Sequence, residues 1–339
     1  YEAVLIGIDK TGRWQLQSGS NFLLNSQNPK LIGLNSASSK YIALAPAQKL
    51  GQLVSMSASQ ESEKIDVVFP VLHGSYGEDG TMQGLLKLMD VPFVGPSVLG
   101  SAVGMDKDIA KKLWRDSGVA IANFLTFQAY EKNNINFTKI KKQLGMPLFV
   151  KPANAGSSVG VSKVKSEKDF NIAIKEAFKF DSKILIEEFV NGREIEVAVL
   201  GNEFPKASIP GEIIPHHEFY SYEAKYIDIK RATAKIPAKL TKATIKKIQA
   251  VAVKAFQVLE CEGMARVDFL FGKCRNDKTP KIYINEINTI PGFTNISMFP
   301  KLWEASGLPQ PKLVDKLIQF AIQRHKRENK LTTKFQSPK

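Results

Sequence analysis

A chain of 339 residues, 43% hydrophobic and 24% charged, reads as a soluble globular protein too long for one ordinary core, so two or three domains are expected. It has no apolar run long enough to span a bilayer and no signal-peptide pattern, and its two cysteines, Cys261 and Cys274, exclude a disulfide framework or a cysteine-based zinc site; a cytoplasmic protein with no membrane partner is expected. The net charge of +14 raises nucleic acid as a partner, but the stretch Arg324–Lys339 holds six basic residues and one acidic and reads as a frayed polar tail, while the remaining excess is dispersed. An anionic small substrate fits that distribution better, and no nucleic acid is expected.

In chain order, "YEAVLIGID" is a short apolar run that reads as a strand, and "KIDVVFPVLHG" as a buried strand ending in a glycine turn. "TMQGLLKLMD" has helical spacing, and "VPFVG" returns as a short strand. Strands alternating with helices predict an α/β protein with a parallel sheet in its first part. The helix "MDKDIAKKLWRDSG" follows, with Asp106 able to cap it and Gly118 able to stop it. "PLFVKPANAGSSVGVSKV" is two β-rich runs joined by a Gly/Ser loop. Then come the helix "SEKDFNIAIKEAFKF", the strand "KILIEEFV", the run "IEVAVLG" and a long loop around "HHEFYSYEAKYID". The helix "TKATIKKIQAVAVKAFQVLE", the strands "GMARVDFLFG" and "KIYINEIN", and a last helix through "PQPKLVDKLIQFAIQ" complete the chain. The predicted organisation is 1–105, 106–190, 191–323 and a basic tail 324–339.

The charged groups on these strands carry the chemical signal. Lys151 lies on an apolar strand, where a cation is costly without an anionic partner, and the loop after it is small enough for backbone N–H groups to approach phosphate oxygens. It lacks the Gly-Lys-Ser/Thr ending of a P-loop, and on the residues alone a plain Gly/Ser turn is the commoner reading. Glu187 and Glu188 end a strand, with Glu194 seven residues beyond Glu187; they read either as exposed acids or as a hinge against which a purine lies. Side chains two apart on a strand share a face. Glu286 and Asn288 therefore point together, as do Arg266 and Asp268. If the two strands pair, Asp268, Glu286 and Asn288 form a hard-oxygen set suited to Mg²⁺, or else Arg266 and Glu286 form a plain ion pair across a hairpin. His216-His217 reads as loop surface, His325 as part of the tail, and Cys261 as core.

Seven segments, "HGSYGEDGTMQGLL", "VGMDK", "FVKPANAGSSVGVSKV", "LIEEFVNGRE", "YEAKY", "ARVDF" and "NEINTIPGFT", occur in the order found in the D-alanine–D-alanine ligases of the ATP-grasp superfamily, and they cover nearly the whole chain. The resemblance implies an ATP-grasp fold, α/β and α+β overall, behind a Rossmann-like first domain. It implies ATP-dependent joining of two D-alanines through D-alanyl phosphate for peptidoglycan precursors, with a ligase for D-serine or D-lactate, or a non-catalytic nucleotide-binding protein, as alternatives. On the residues that match, it implies Lys107, Lys151 and Lys225 at the ATP phosphates, Glu187, Glu188, Phe189 and Val190 at the adenine, and Glu194 at the ribose. Asp268, Glu286 and Asn288 match ligands of two Mg²⁺ ions, with Mn²⁺ an acceptable substitute. Arg266 and the Gly292 N–H match an oxyanion hole. His73 and Glu78 match the first substrate's wall, and Ser297 and Met298 the group that holds the second substrate's carboxylate. Ser157 and Tyr226 match a hydrogen-bonded triad that ties down a closing loop, and a Tyr at 226 favours an amine over D-lactate. A homodimer is the family default. The chain opens on what matches the family's second strand; the opening strand and Gly-Gly-x-Ser-x-Glu-His loop, which would supply the triad's Glu, are not in the sequence, roughly 30 residues or one βα unit. An exposed sheet edge and weak D-alanine binding are expected of a chain without them.

Overall fold

The computed structural model describes residues 1–9, 11–17, 23–24, 33–35, 40–44, 52–55, 63–215, 232–294 and 296–331. The chain forms two compact units, one of residues 1–68 and 85–92, the other of 69–84 and 93–339.

In the first unit, β1 (Leu5–Ile8) turns back on β2 (Trp14–Gln17) through Asp9–Gly12, where Gly12 takes a left-handed φ of 83°. Asp9 Oδ1 accepts from the Thr11 and Arg13 N–H groups, which fixes the turn. A two-stranded pair, β3 (Leu23–Leu24) with β4 (Gly33–Leu34), stands apart; β5 (Lys40–Leu44), β6 (Gln52–Ser55) and β7 (Glu63–Lys64) continue the first sheet in the order β1-β2-β5-β6-β7. Every pairing in it is antiparallel. Among the described residues this corrects the parallel sheet expected here: the chain reverses between Ile8 and Trp14 by a turn too short for the crossover that parallel neighbours need. The expected strands over "KIDVVFPVLHG" and "VPFVG" shrink to single bridge positions at Val68 and Phe93, where Val68 donates its N–H to Pro92 O at 2.8 Å; of the two segments only Lys64, the end of β7, is strand.

The second unit begins at Phe69 and enters helix α1 (Thr81–Leu88), followed after the first unit's segment by α2 (Val98–Met105) and α3 (Lys107–Asp116). Asp106 caps α3 as expected, accepting from Asp108 N at 3.0 Å and Ile109 N at 3.1 Å. A four-stranded antiparallel sheet has the order β10 (Ser162–Val164), β9 (Leu148–Pro152), β11 (Lys183–Glu188), β8 (Phe124–Gln128). Its Leu148, Val150, Ile184 and Ile186 pack on α4 (Phe137–Leu144) and α5 (Glu167–Ala177). By alternation, Lys151 and Glu187 therefore share the opposite face.

A larger sheet runs β15 (Ala232–Lys235), β14 (Gly211–Pro215), β12 (Asn191–Gly201), β16 (Gly263–Lys273), β17 (Lys281–Asn288), with β13 (Lys206–Ala207) also on β12. One face, through Ile195, Val197, Val267 and Ile287, packs on the helix Lys242–Val258 and on Trp114 of α3, whose indole N–H donates to Ala255 O at 3.0 Å. Cys261 lies in that core, as expected. The last helix, Gln310–Glu328, extends into the predicted tail: Arg324 is buried, stacks on Phe93 at 4.4 Å and donates to Phe93 O and Gly95 O, so this cation belongs to the core and not to a frayed end. His325 likewise belongs to this helix. No described helix is long and apolar enough to cross a membrane.

Candidate active site

The face of the large sheet turned away from its core carries the charged groups. Register places Glu196 of β12, Asp268 of β16 and Glu286 of β17 side by side, with Arg266 beside Asn288 in the next row. The two strands pair, which meets the condition set for the oxygen cluster, but the ion pair differs from the simple alternative. Arg266 makes a two-pronged bond to Asp268 (Nε to Oδ1 2.8 Å, Nη2 to Oδ2 2.7 Å) and reaches Glu196 Oε2 at 3.3 Å, while Glu286 is 3.5 Å from Lys107. Burial alone would weaken the Arg266 cation, yet the Asp268 and Glu196 carboxylates drive its pKa well above the ordinary value. Asn288 Oδ1 is buried and has no hydrogen-bond partner among the described residues. An orphaned amide oxygen beside two carboxylates fits a hard dication bound through oxygen.

A β-bulge at the Asp268/Phe269 step leaves Asn285 as an extra residue in β17. Bulges re-aim side chains, and Asn285 Oδ1 comes 3.4 Å from Lys151 Nζ. Lys151 also meets Glu187 Oε2 at 2.6 Å, and the carboxylate's other oxygen lies 3.1 Å from Lys111 of α3. Burial would raise the Glu187 pKa, but the two ammonium groups outweigh it and hold the carboxylate below its ordinary value. Lys107, the first residue of α3, donates to Ala155 O at 2.8 Å in the Gly/Ser loop. That loop carries left-handed φ values at Ser157 (54°), Ser158 (61°) and Gly160 (68°), and Gly156 comes close to Glu78: a Cβ there would lie 4.0 Å from Glu78 Oε2.

Glu78 is buried, accepts from Gly74 N at 2.5 Å, and has its pKa pushed up to about 7, chiefly by desolvation. His73, in the same loop, is held below its ordinary pKa by packing first and by the Arg266 charge. Gly292 abuts Ser297, for a Cβ on Gly292 would stand 2.8 Å from Ser297 Oγ, which itself accepts from Thr294 N at 3.1 Å. Met298 is buried against Gly211.

The expected hinge is more divided. The Glu188 carboxylate accepts from both the backbone and side-chain N–H groups of Asn123, at 2.7 and 2.8 Å, and so is committed to the scaffold. Phe189 lies under Lys163 Nζ at 4.7 Å, Val190 is buried, and Glu194 is exposed on β12. Lys225, Tyr226 and His216-His217 lie outside the described residues. Sequence reasoning missed Lys111, Glu196 and Asn285.

Two antiparallel sheets that face one cleft, lysines on one side and carboxylates on the other, define an ATP-grasp fold, the fold of the solved relatives. Family profiles match residues 1–96 as D-ala D-ala ligase N-terminus and 113–319 as D-ala D-ala ligase C-terminus. The chain belongs to the D-alanine–D-alanine ligase family. It is 50% identical over 331 residues to the D-alanine–D-alanine ligase of Oceanobacillus iheyensis, covering 98% of this chain and 89% of the relative. It is 48% identical over 335 residues to D-alanine–D-alanine ligase A of Escherichia coli K12, covering 98% and 90%. Of solved structures, the D-alanine-D-alanine ligase from Coxiella burnetii superposes with a TM-score of 0.80 at 40% identity, covering 96% of this chain and 85% of that one. The VanG D-Ala:D-Ser ligase from Enterococcus faecalis gives 0.80 at 33% identity, covering 94% and 89%.

Proposed function

We propose that this cleft joins two D-alanines with conversion of ATP to ADP and phosphate, the activity its family membership carries, for the peptide terminus of cell-wall precursors. The observation that supports placing the reaction here is the meeting of two opposite charge sets, lysines from α3 and β9 with carboxylates and amides from β17, at 3.5 Å for Lys107–Glu286 and 3.4 Å for Lys151–Asn285. A polyanion that brings its own cation satisfies both walls at once. A nucleotide triphosphate with Mg²⁺, or Mn²⁺, is such a ligand.

In the first step a carboxylate oxygen of D-alanine attacks the γ-phosphorus, the bond to the β–γ bridging oxygen breaks, and ADP leaves D-alanyl phosphate behind. In the second, the amine of another D-alanine attacks the acyl carbon, phosphate departs with its bridging oxygen, and the amine gives up a proton. Lys107, Lys151 and Lys225 are assigned to the phosphates; the Glu187–Val190 backbone and Phe189 to the base, and Glu194 to the ribose. Asp268, Glu286 and Asn288 are assigned to the metal ions, which would neutralise phosphate charge during transfer. The two bonds from Arg266 use one acceptor site on each Asp268 oxygen and leave the others for a cation, and the guanidinium with the Gly292 N–H is assigned to the oxyanion. His73 and Glu78 are assigned to the first substrate, Ser297 and Met298 to the second, and Ser157 with Tyr226 to loop closure. The four-part domain division and a homodimer formed through the first domain belong to the same reading.

The test is phosphate release from ATP with Mg²⁺ and D-alanine, L-alanine, D-serine or D-lactate, with products identified by mass. D-Alanyl-D-alanine as the main product is the expected result; a mixed dipeptide formed in preference from D-alanine and D-serine would move the second-substrate assignment, and no release with any acceptor would remove the catalytic reading.

A further inference from the structure

Lys111 is one of the largest fully buried side chains in the protein, with 1% of its side chain exposed, and the reaction described above gives it no task. It lies one turn beyond Lys107 on α3, so both project from one face of the helix. Its ammonium lies 3.1 Å from Glu187 Oε1 and 6.0 Å from the Phe124 ring centre; Glu187 Oε2 holds Lys151 at 2.6 Å. Two cations and one anion in so dry a place leave one positive charge uncompensated within the group. A pair serving stability alone would be neutral, because an excess charge in the interior is costly.

We infer that Lys111 is a positioning residue for nucleotide binding: by occupying one oxygen of Glu187 it prevents that carboxylate from closing on Lys151 with both oxygens, and so leaves the Lys151 ammonium available to a phosphate. The inference rests on the reading of this cleft as the ATP site. Lys111 acts through Glu187, and its removal lets Glu187 neutralise Lys151. Removing Glu187 as well releases Lys151 again.

The experiment measures KM for ATP, KM for D-alanine and kcat on the full chain. Lys111→Met is expected to raise KM for ATP about tenfold with kcat within about threefold and KM for D-alanine unmoved. Lys111→Arg keeps the charge and is expected to stay within about threefold of the parent in all three. Lys111→Met/Glu187→Gln is expected to match Glu187→Gln alone and to bind ATP better than Lys111→Met, a non-additivity that a packing role would not produce. An unchanged KM for ATP in Lys111→Met, or a double variant worse than both singles, would overturn the inference. If Lys111→Met does not fold, the comparison of the double variant with Glu187→Gln decides: equal KM values support the inference, and a further tenfold loss refutes it. Failure of the parent chain to release phosphate from ATP would count against the functional reading; a working parent with an indifferent Lys111 would count against this inference alone.

Discussion

Glu187 and Glu286 stand on two sheets of one cleft, each within 3.5 Å of a lysine, yet they are held differently. The Glu187 side chain is 6% exposed and clamped between two ammonium groups, whereas Glu286 is 32% exposed with Lys107 at the longer distance. A buried carboxylate in a tight pair is part of the fold, because breaking the pair strands a charge. A carboxylate with open solvent and a loose partner can change partners, as a metal ligand must. On the proposed reading, the difference separates groups that shape the site from groups that meet the substrate.

The sharpest way to break that comparison is Glu286→Gln. Turnover is expected to fall on the order of 1,000-fold, since the carboxylate proposed to hold the charge-neutralising cation is lost, while thermal unfolding stays near the parent's; a lowered Tm with turnover retained would make Glu286 structural. The same substitution at Glu187 should instead be felt first in Tm. Next in size is Arg266→Met. It leaves Asp268 and Glu196 facing each other half-buried, and a loss of about 4 kcal/mol of stability is expected in urea unfolding; a loss under about 1 kcal/mol would mean that the two carboxylates are hydrated without it.

Glu78 extends the comparison to pH. Its pKa in the folded chain, about 7, lies above the ordinary 4.5, so the folded protein keeps a proton that the unfolded chain releases. That contribution is fully present below about 4.5 and is lost as pH rises to about 7, amounting to roughly 3 kcal/mol. Metal-free unfolding of the parent minus Glu78→Gln, followed from pH 4.5 to 7.5, should show this downward slope; a flat difference would mean that the carboxyl is ionised throughout.

How much of this was legible from the sequence follows from how local each signal is. Glu286 and Asn288 share a face by simple alternation, and that face holds. Asn285 was legible too, but by a finer argument: Ile284 and Ile287 are both in the core although three residues apart, and an odd spacing on one face demands a bulge. Lys111 sits between Ala110 and Trp114 in a buried helical stripe, so its interior position was readable, but not the carboxylate it would meet 76 residues later on another element. In the first unit, Asp9 and Gly12 gave the turn chemistry of a hairpin, while the apolar run Val4–Ile8 suggested a buried parallel strand; turn chemistry prevailed because it decides the direction of the next strand. Arg324 could not be placed at all, since what buries it is a pair of carbonyls over 220 residues away.

The smallest expected effect asks whether the scaffold around α3 is part of the site. Asp106 caps that helix with Oδ1 and takes the Lys183 ammonium on Oδ2 at 2.5 Å. Asp106→Asn keeps an N-capping oxygen and weakens the link to β11, so the stability loss should be only about 1 kcal/mol. Yet α3 carries Lys107 and Lys111, and β11 carries Glu187. If the lysine geometry depends on how the helix is fastened to that strand, KM for ATP should rise by about threefold while KM for D-alanine is unmoved. A change in Tm with both KM values untouched would mean that Lys111 and Glu187 hold their own register, and that the cap serves the helix alone.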